Sequence, residues 1–136
     1  MIYRTILFLV LTTAPANADQ LELNNSLQRA ETDRYGCAIR PRPEHLTFRS
    51  FRDAWRSGAA DDLYSLRRHQ MALETGSCGC DALWPDWAVI EVEYEELGFS
   101  DRQATDGLHA AWAADQYFPV ISDLRKQLRN QCPEAE

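Results

Sequence analysis

The sequence contains four cysteines, residues that can form disulfides, exchange them or bind a metal. Two of them, Cys78 and Cys80, are separated by a single glycine, whereas Cys37 and Cys132 lie far from this pair on either side. A bridge between Cys78 and Cys80 would close a very small ring that fits the preferred geometry of a disulfide poorly. We therefore expect Cys37 and Cys132 each to pair with one cysteine of the central turn, in either combination. These bridges would constrain long loops and tie distant parts of the chain to that turn.

Two other kinds of chemistry are open to the same thiols. Thiols this close in sequence can exchange disulfides, so a thiol oxidoreductase that uses Cys78 and Cys80 is an alternative, although no thioredoxin-like βαβ pattern surrounds them. A metal site would combine these thiolates with His69 or His109, but zinc sites usually have at least two residues between paired cysteines. We expect no metal site and no other cofactor.

Two tryptophans and a group of glutamates follow the cysteine pair. Trp84 and Trp87 flank a turn, and we expect Trp87 in the core and Trp84 to be available to a partner protein. Glu91 and Glu95 lie one helical turn apart, a spacing that could pair two carboxylates for acid–base catalysis. Four glutamates within residues 91–96 are instead typical of a solvated helix face. We assign both residues to partner binding.

Catalytic motifs are absent from the remaining sequence. It contains no serine-centred elbow, no cysteine–histidine nucleophile context and no phosphate-binding glycine loop. We therefore expect no enzymatic activity and no catalytic residue.

The start of the sequence indicates a compartment. Arg4 precedes an uncharged apolar run over residues 6–11, and Ala16-Asn17-Ala18 resembles a cleavage site, which together predict a secretory signal peptide. The run is too short to cross a bilayer as a helix, which needs about 20 apolar residues. We expect residues 1–18 to be removed and residues 19–136 to form one helical domain in the periplasm or outside the cell, without stable membrane insertion.

Charge restricts the partners that the protein can have. The 136-residue sequence carries a formal net charge of −7, and removal of the signal peptide would take away one arginine and no acid. Nucleic acid is therefore not an expected partner. Seven arginines fall within residues 40–68, whereas acidic residues dominate residues 81–118, so oppositely charged faces could attract a protein partner.

Hydrophobic residues recur at helical spacing along most of the chain. Phe48, Phe51 and Trp55 share one such stripe and are predicted to lie in the core. We predict helices over residues 20–35, from Thr47 to Ser57-Gly58, from Asp61 to Gly76, from Trp87 to Gly98, from Ser100 to Trp112 and from Pro119 to Cys132. Residues 88–94 also alternate as a half-buried strand would, but a lone strand would have no partner. The predicted fold is all-α, a small disulfide-stapled bundle of five or six short helices.

One stretch of the chain resembles a known class of protein. The turn Gly76-Ser77-Cys78-Gly79-Cys80, followed by a helix start at Pro85-Asp86-Trp87, resembles small secreted accessory proteins of conjugation and type IV secretion systems. The resemblance covers residues 66–97 and carries no catalytic residue. It implies a periplasmic protein that binds other components of an envelope machine.

We therefore expect a secreted, non-enzymatic structural or protein-binding protein whose partner is another envelope protein. A periplasmic immunity or inhibitor protein that blocks an effector enzyme is an alternative, because that class also includes small acidic helical domains.

Overall fold

A single long helix organises the fold. The computed structural model describes residues 32–135, in which α1 (Ala54–Thr75) packs against every other helix. A one-turn helix, α2 (Cys80–Leu83), and α3 (Ala88–Glu96) follow. The chain then forms α4 (Asp106–Trp112), a π-helical turn (Ala113–Tyr117) and α5 (Phe118–Gln131) without interruption. A 3-10 turn, Glu44–Leu46, precedes α1.

The all-α prediction is confirmed for the described residues, which contain no β-strand, but the number of helices is wrong. Three principal helices are present instead of five or six: α1, α3 and the continuous run from α4 to α5. The helix predicted from Trp87 to Gly98 forms as α3, so the strand alternative for residues 88–94 is not adopted. No helix among residues 32–135 is long and apolar enough to span a membrane.

The two helices predicted on either side of Gly58 are one helix. Gly58 lies inside α1, next to the fully buried Ala59 and Ala60. A glycine inside a helix costs about 1 kcal/mol relative to alanine, which burial of the neighbouring apolar face offsets. Gly76 does end the helix as predicted: it adopts a left-handed φ of 66°, and its N–H donates to the carbonyl of Leu73.

The predicted start of the first of these two helices is also wrong. Residues 47–53 are not α-helical, because Ser50 and Asp53 form a local turn in which their side chains hydrogen-bond to each other. As a result Phe51, which the stripe placed in the core, is fully exposed, whereas Trp55 packs against the core.

Local side-chain hydrogen bonds also shift other boundaries. The carboxylate of Asp101 accepts from the N–H of Gln103, so the helix predicted from Ser100 begins only at Asp106. Near the start of the described range, Asp33 accepts from the N–H groups of Tyr35 and Cys37, which makes residues 33–36 a turn. The helix predicted over residues 20–35 therefore does not reach its predicted end, and the rest of it lies outside the described residues, as does the predicted signal peptide.

Pro119 lies in the first turn of α5, so the last helix starts within one residue of its predicted beginning, directly after the π-helical turn. Proline has no N–H for the carbonyl four residues earlier, and its ring clashes with that carbonyl in a regular α-helix. A wider turn at this point lets the helix continue.

The core consists of three groups of buried side chains. The first lies between α1 and α3 around Leu63, Ile90 and Phe99. The second surrounds the disulfides and contains Leu83 and Leu128, and the third joins α1 to the π-helical turn and α5. Tyr35 and Trp84 pack against the second group.

Candidate binding site

Two disulfides meet at the turn between α1 and α2. Cys37 bonds to Cys80 and Cys78 bonds to Cys132, with Cα–Cα distances of 5.3 and 5.5 Å. The prediction that both outlying cysteines reach the central turn is confirmed, and the structure selects one of the two open combinations. All four cysteines are engaged, so Cys78 and Cys80 do not form the bridge on which the thiol oxidoreductase alternative depends.

Trp84 is held next to these disulfides in a fixed orientation. Its indole N–H donates to the carboxylate of Asp33 at 2.7 Å, and the guanidinium of Arg68 lies 4.0 Å from the centre of its ring. Arg68 in turn donates to the carbonyl of Leu83 at 2.9 Å. Because the disulfide between Cys37 and Cys80 fixes both neighbouring segments, Trp84 forms a preorganised wall.

That wall belongs to a cleft of about 350 Å³ between α1, α5 and the turn at residues 33–35. The cleft contains arginines from three separate parts of the chain and three aromatic rings. Its lining residues are Asp33, Arg34, Tyr35, Arg68, His69, Trp84, Arg125 and Arg129.

The charges of the cleft are not balanced. Asp33 is the one acidic residue in its lining, and Arg34 pairs with Glu134 at 3.4 Å. None of the ion pairs within residues 32–135 involves the other three arginines, Arg68, Arg125 and Arg129. Arginine stays protonated at physiological pH, so the cleft has a positive potential. Such a cleft attracts an anionic group.

Arg125 is oriented by neutral groups. Its guanidinium donates to the hydroxyl of Tyr117 at 3.2 Å and to that of Ser65 at 3.4 Å. Arg129 lies one helical turn further along α5 and lines the same cleft. Two guanidinium groups on one helix face can together bind a carboxylate, whose two oxygens accept their N–H donors.

His69 is the buried polar group of the cleft. Its side chain is 5% exposed, and its Nδ1 lies 2.5 Å from the carbonyl oxygen of Ser65. Burial, together with the smaller effect of the charges of Arg68 and Arg125, lowers the pKa of His69 to about 4. The imidazole is therefore neutral at pH 7.

The predicted partner-binding residues occupy two separate places. Trp84 lines the cleft, whereas the carboxylate of Glu91 accepts a hydrogen bond from Nε2 of His45 at 2.9 Å and lines a different pocket. Glu95 is exposed on α3, and Trp87 is buried against Tyr64, with ring centres 4.0 Å apart. The structure thus does not bring Trp84 together with the two glutamates.

The histidines considered for a metal site do not meet the cysteines. His109 hydrogen-bonds to Asp62 at 2.9 Å, and His69 hydrogen-bonds to the backbone carbonyl of Ser65. Residues 32–135 contain no group of three potential metal ligands.

Most of the cleft was not identified from the sequence. Arg125 and Arg129 lie at positions i and i+4 of the amphipathic last helix, and this spacing was the available signal that they share a face. Their proximity to Arg68 and His69 depends on how α5 packs against α1, which no local pattern reports.

Comparison of the chain with protein-family models, with curated proteins and with solved structures gives no match.

Proposed function

We propose that the protein is a non-enzymatic binding protein of an oxidising compartment, in the periplasm or outside the cell, and that its cleft at Trp84 receives an acidic segment of an envelope protein. One observation carries the proposal: Arg68, Arg125 and Arg129 line a cleft without carboxylate partners among the described residues.

The chemistry of the cleft supports a protein partner. Guanidinium groups bind carboxylates through paired hydrogen bonds, and tryptophan and arginine are enriched among the residues that dominate protein interfaces. The volume of about 350 Å³ lies within the range of ligand sites, about 300–1,000 Å³, and suits a few residues of a peptide chain.

The disulfides support the compartment. Bridges of this kind persist where thiols are oxidised, and here they fix the turn that carries Trp84. The resemblance of residues 66–97 to accessory proteins of secretion and conjugation systems is the reason to seek the partner among envelope components.

Site-specific photocrosslinking in the producing cell tests the proposal. A photoreactive side chain at Arg34, on the exposed rim of the cleft, should capture one envelope protein. Charge reversal by Arg125→Glu and Arg129→Glu should reduce the captured product at least tenfold, because it replaces attraction by repulsion.

One matched variant serves as a control. Lys126→Glu changes the charge by the same amount as each arginine substitution, at an exposed position of α5 outside the cleft lining, and should leave the product unchanged. Glu95→Gln tests separately whether the acidic face of α3, assigned to partner binding from the sequence, takes part. Equal loss in Lys126→Glu and in the cleft variants would contradict the proposal, and capture of one soluble hydrolase would favour the inhibitor alternative.

A further inference from the structure

We infer that the cleft recognises the free C-terminal end of a peptide chain, with Arg125 and Arg129 binding the terminal carboxylate and Nε2 of His69 accepting from the last amide N–H. This inference rests on the proposed function and specifies which part of the partner enters the cleft.

The proton of the neutral imidazole of His69 lies on Nδ1. A carbonyl oxygen only accepts hydrogen bonds, so Nδ1, which lies 2.5 Å from the carbonyl of Ser65, carries the proton. In a neutral imidazole the other nitrogen, Nε2, is then an acceptor. The low pKa of the buried ring keeps this form at physiological pH.

Nε2 of His69 needs a hydrogen-bond donor. Within residues 32–135 no protein group hydrogen-bonds to it, although the imidazole is 5% exposed and lines the cleft. No fully enclosed side-chain nitrogen or oxygen of the described residues lacks a hydrogen bond, so Nε2 is not fully enclosed, and the cleft is the space that His69 lines. A ligand that fills the cleft without offering a donor would leave this acceptor unsatisfied, which weakens binding.

Charged side chains line the cleft together with His69. Arg68 on α1 and Arg125 and Arg129 on α5 face the cleft together with Asp33, whose carboxylate is already occupied by the indole N–H of Trp84 and two backbone N–H groups. The open requirements are therefore acceptors for guanidinium groups and one donor for Nε2.

A chain terminus meets both requirements with one rigid unit. The terminal carboxylate and the amide nitrogen of the same residue are attached to one Cα, so their separation is nearly fixed. The carboxylate of an aspartate or glutamate side chain is joined to its amide through rotatable bonds and must lose more conformational entropy to present the same pair. The ring of Tyr35 adds an apolar surface for the last side chain.

Three forms of one short peptide test the inference on the unaltered protein. Acetyl-trialanine with a free carboxylate is compared with its C-terminal amide and with an ester analogue in which oxygen replaces the last amide N–H, by titration of ¹⁵N NMR shifts. We expect the peptide with the free carboxylate and all its amide N–H groups to bind about tenfold more tightly than either analogue. The C-terminal amide lacks the negative charge, and the ester lacks the hydrogen bond to Nε2. Equal binding of the acid and the ester would overturn the inference.

Variants assign the two interactions. His69→Asn retains an N–H for the carbonyl of Ser65 but has no acceptor at the position of Nε2, because its amide is shorter than the imidazole, so it should bind the acid and the ester equally. Arg125→Gln should weaken both, whereas Lys126→Gln should change neither. If His69→Asn does not fold, the ester comparison on the unaltered protein still decides.

A fourth peptide separates this inference from the proposed function. Acetyl-Ala-Asp-Ala-amide carries an internal carboxylate and no free terminus. If it binds as tightly as the free acid, the inference fails while the proposed binding of an acidic segment stands. If no peptide binds but photocrosslinking still depends on Arg125 and Arg129, the inference fails and the proposed function stands. Loss of both signals would remove the proposed function as well.

Discussion

Arg56 shows how one charged side chain can hold a non-helical segment in place. It is 3% exposed, donates to the carbonyl oxygens of Phe99 and Ala104, and pairs with Asp53 at 3.3 Å. Its guanidinium also lies 4.6 Å from the ring centre of Trp55. Through these contacts α1 fixes the loop between α3 and α4. A buried charge of this kind is costly to leave without partners, and here it has several.

Replacement of this arginine should therefore destabilise the protein strongly. Arg56→Met keeps much of the apolar volume but leaves the carbonyls of Phe99 and Ala104 without their donor, so we expect a loss of about 2–4 kcal/mol in the free energy of unfolding. Urea denaturation followed by circular dichroism measures it. Arg49→Met is the control: Arg49 is exposed and pairs with Glu44 at 3.3 Å, so its loss should be below about 1 kcal/mol. Similar losses in both variants would contradict this role.

The disulfide between Cys37 and Cys80 should contribute through the unfolded chain. The bridge spans a sequence separation of 43 residues, for which the chain-entropy model gives about 4 kcal/mol. We expect the double variant Cys37→Ser with Cys80→Ser, which leaves no free thiol to rearrange, to lose roughly this amount in oxidising buffer. Thermal and urea unfolding measure the loss. Ser77→Ala, an exposed change in the same turn, should leave both midpoints unchanged, and an unchanged midpoint in the double variant would contradict the structural role.

At the scale of residues, contacts that depend on neighbouring positions in the sequence could be predicted, whereas contacts that depend on the packing of distant helices could not. The cysteine pairing was narrowed to two combinations, because ring geometry disfavours a bridge between residues as close as Cys78 and Cys80. His69 and Arg125 could not be placed in one cleft, since their positions lie far apart in sequence and meet only through packing of α5 on α1.

At the scale of elements, local end signals were outweighed by tertiary contacts in several places. Gly58 looked like a helix end, yet the apolar stripe continues through it and α1 buries both sides. Ser100 looked like a helix cap, but its segment is held as a loop by Arg56, whose partner carbonyl on Phe99 is adjacent to it. The periodicity that identified α3 was reliable because Ile90 and Tyr94 share one buried face.

The glycine inside α1, Gly58, and the glycine directly after it, Gly76, lead to opposite predictions for the same substitution. Gly58→Ala should stabilise the protein by about 0.5–1 kcal/mol, because alanine has the better helix propensity and its Cβ would lie 3.6 Å from His109, an ordinary contact. Gly76→Ala should destabilise it by about 1 kcal/mol, because the residue has a φ of 66° that alanine rarely adopts. The midpoints of urea denaturation of both variants give the comparison. A gain in Gly76→Ala would show that the helix end has rearranged.

At the scale of the whole molecule, three buried groups favour their neutral forms. Burial lowers the pKa of His69 from 6.5 to about 4, and burial raises the pKa values of Tyr64 and Tyr94 from 10.0 to about 12. Both tyrosine hydroxyls donate to backbone carbonyls, Tyr64 to Pro85 at 2.7 Å and Tyr94 to Arg56 at 3.0 Å. A phenolate could not make either bond. The folded state therefore disfavours protonated His69 at acidic pH and ionised Tyr64 and Tyr94 at alkaline pH.

The free energy of unfolding should consequently be highest between about pH 6.5 and pH 10. Below this range the unfolded chain takes up a proton at the ordinary pKa of histidine, whereas folded His69 stays neutral, so stability falls as the pH drops from 6.5 towards 4. Above it, unfolded tyrosines lose protons near pH 10 and the folded ones do not, so stability falls between pH 10 and pH 12. At roughly 1.4 kcal/mol for each tenfold change in proton affinity, each group accounts for at most about 3 kcal/mol, because contact with solvent reduces the effect.

Urea denaturation at intervals from pH 4 to pH 12 measures this profile, and two variants identify the groups that cause the acidic and the alkaline decline. His69→Asn should flatten the decline between pH 6.5 and pH 4.5, above the range in which most carboxylates take up protons. Tyr94→Phe should reduce the alkaline decline by about half, because Tyr64 remains, although its lost hydrogen bond lowers stability at every pH. A constant free energy of unfolding from pH 6.5 to pH 4.5 in the unaltered protein would mean that His69 can be protonated in the fold. In that state Nε2 would be a donor, and the cleft would bind a carboxylate through the imidazolium as well as through the arginines.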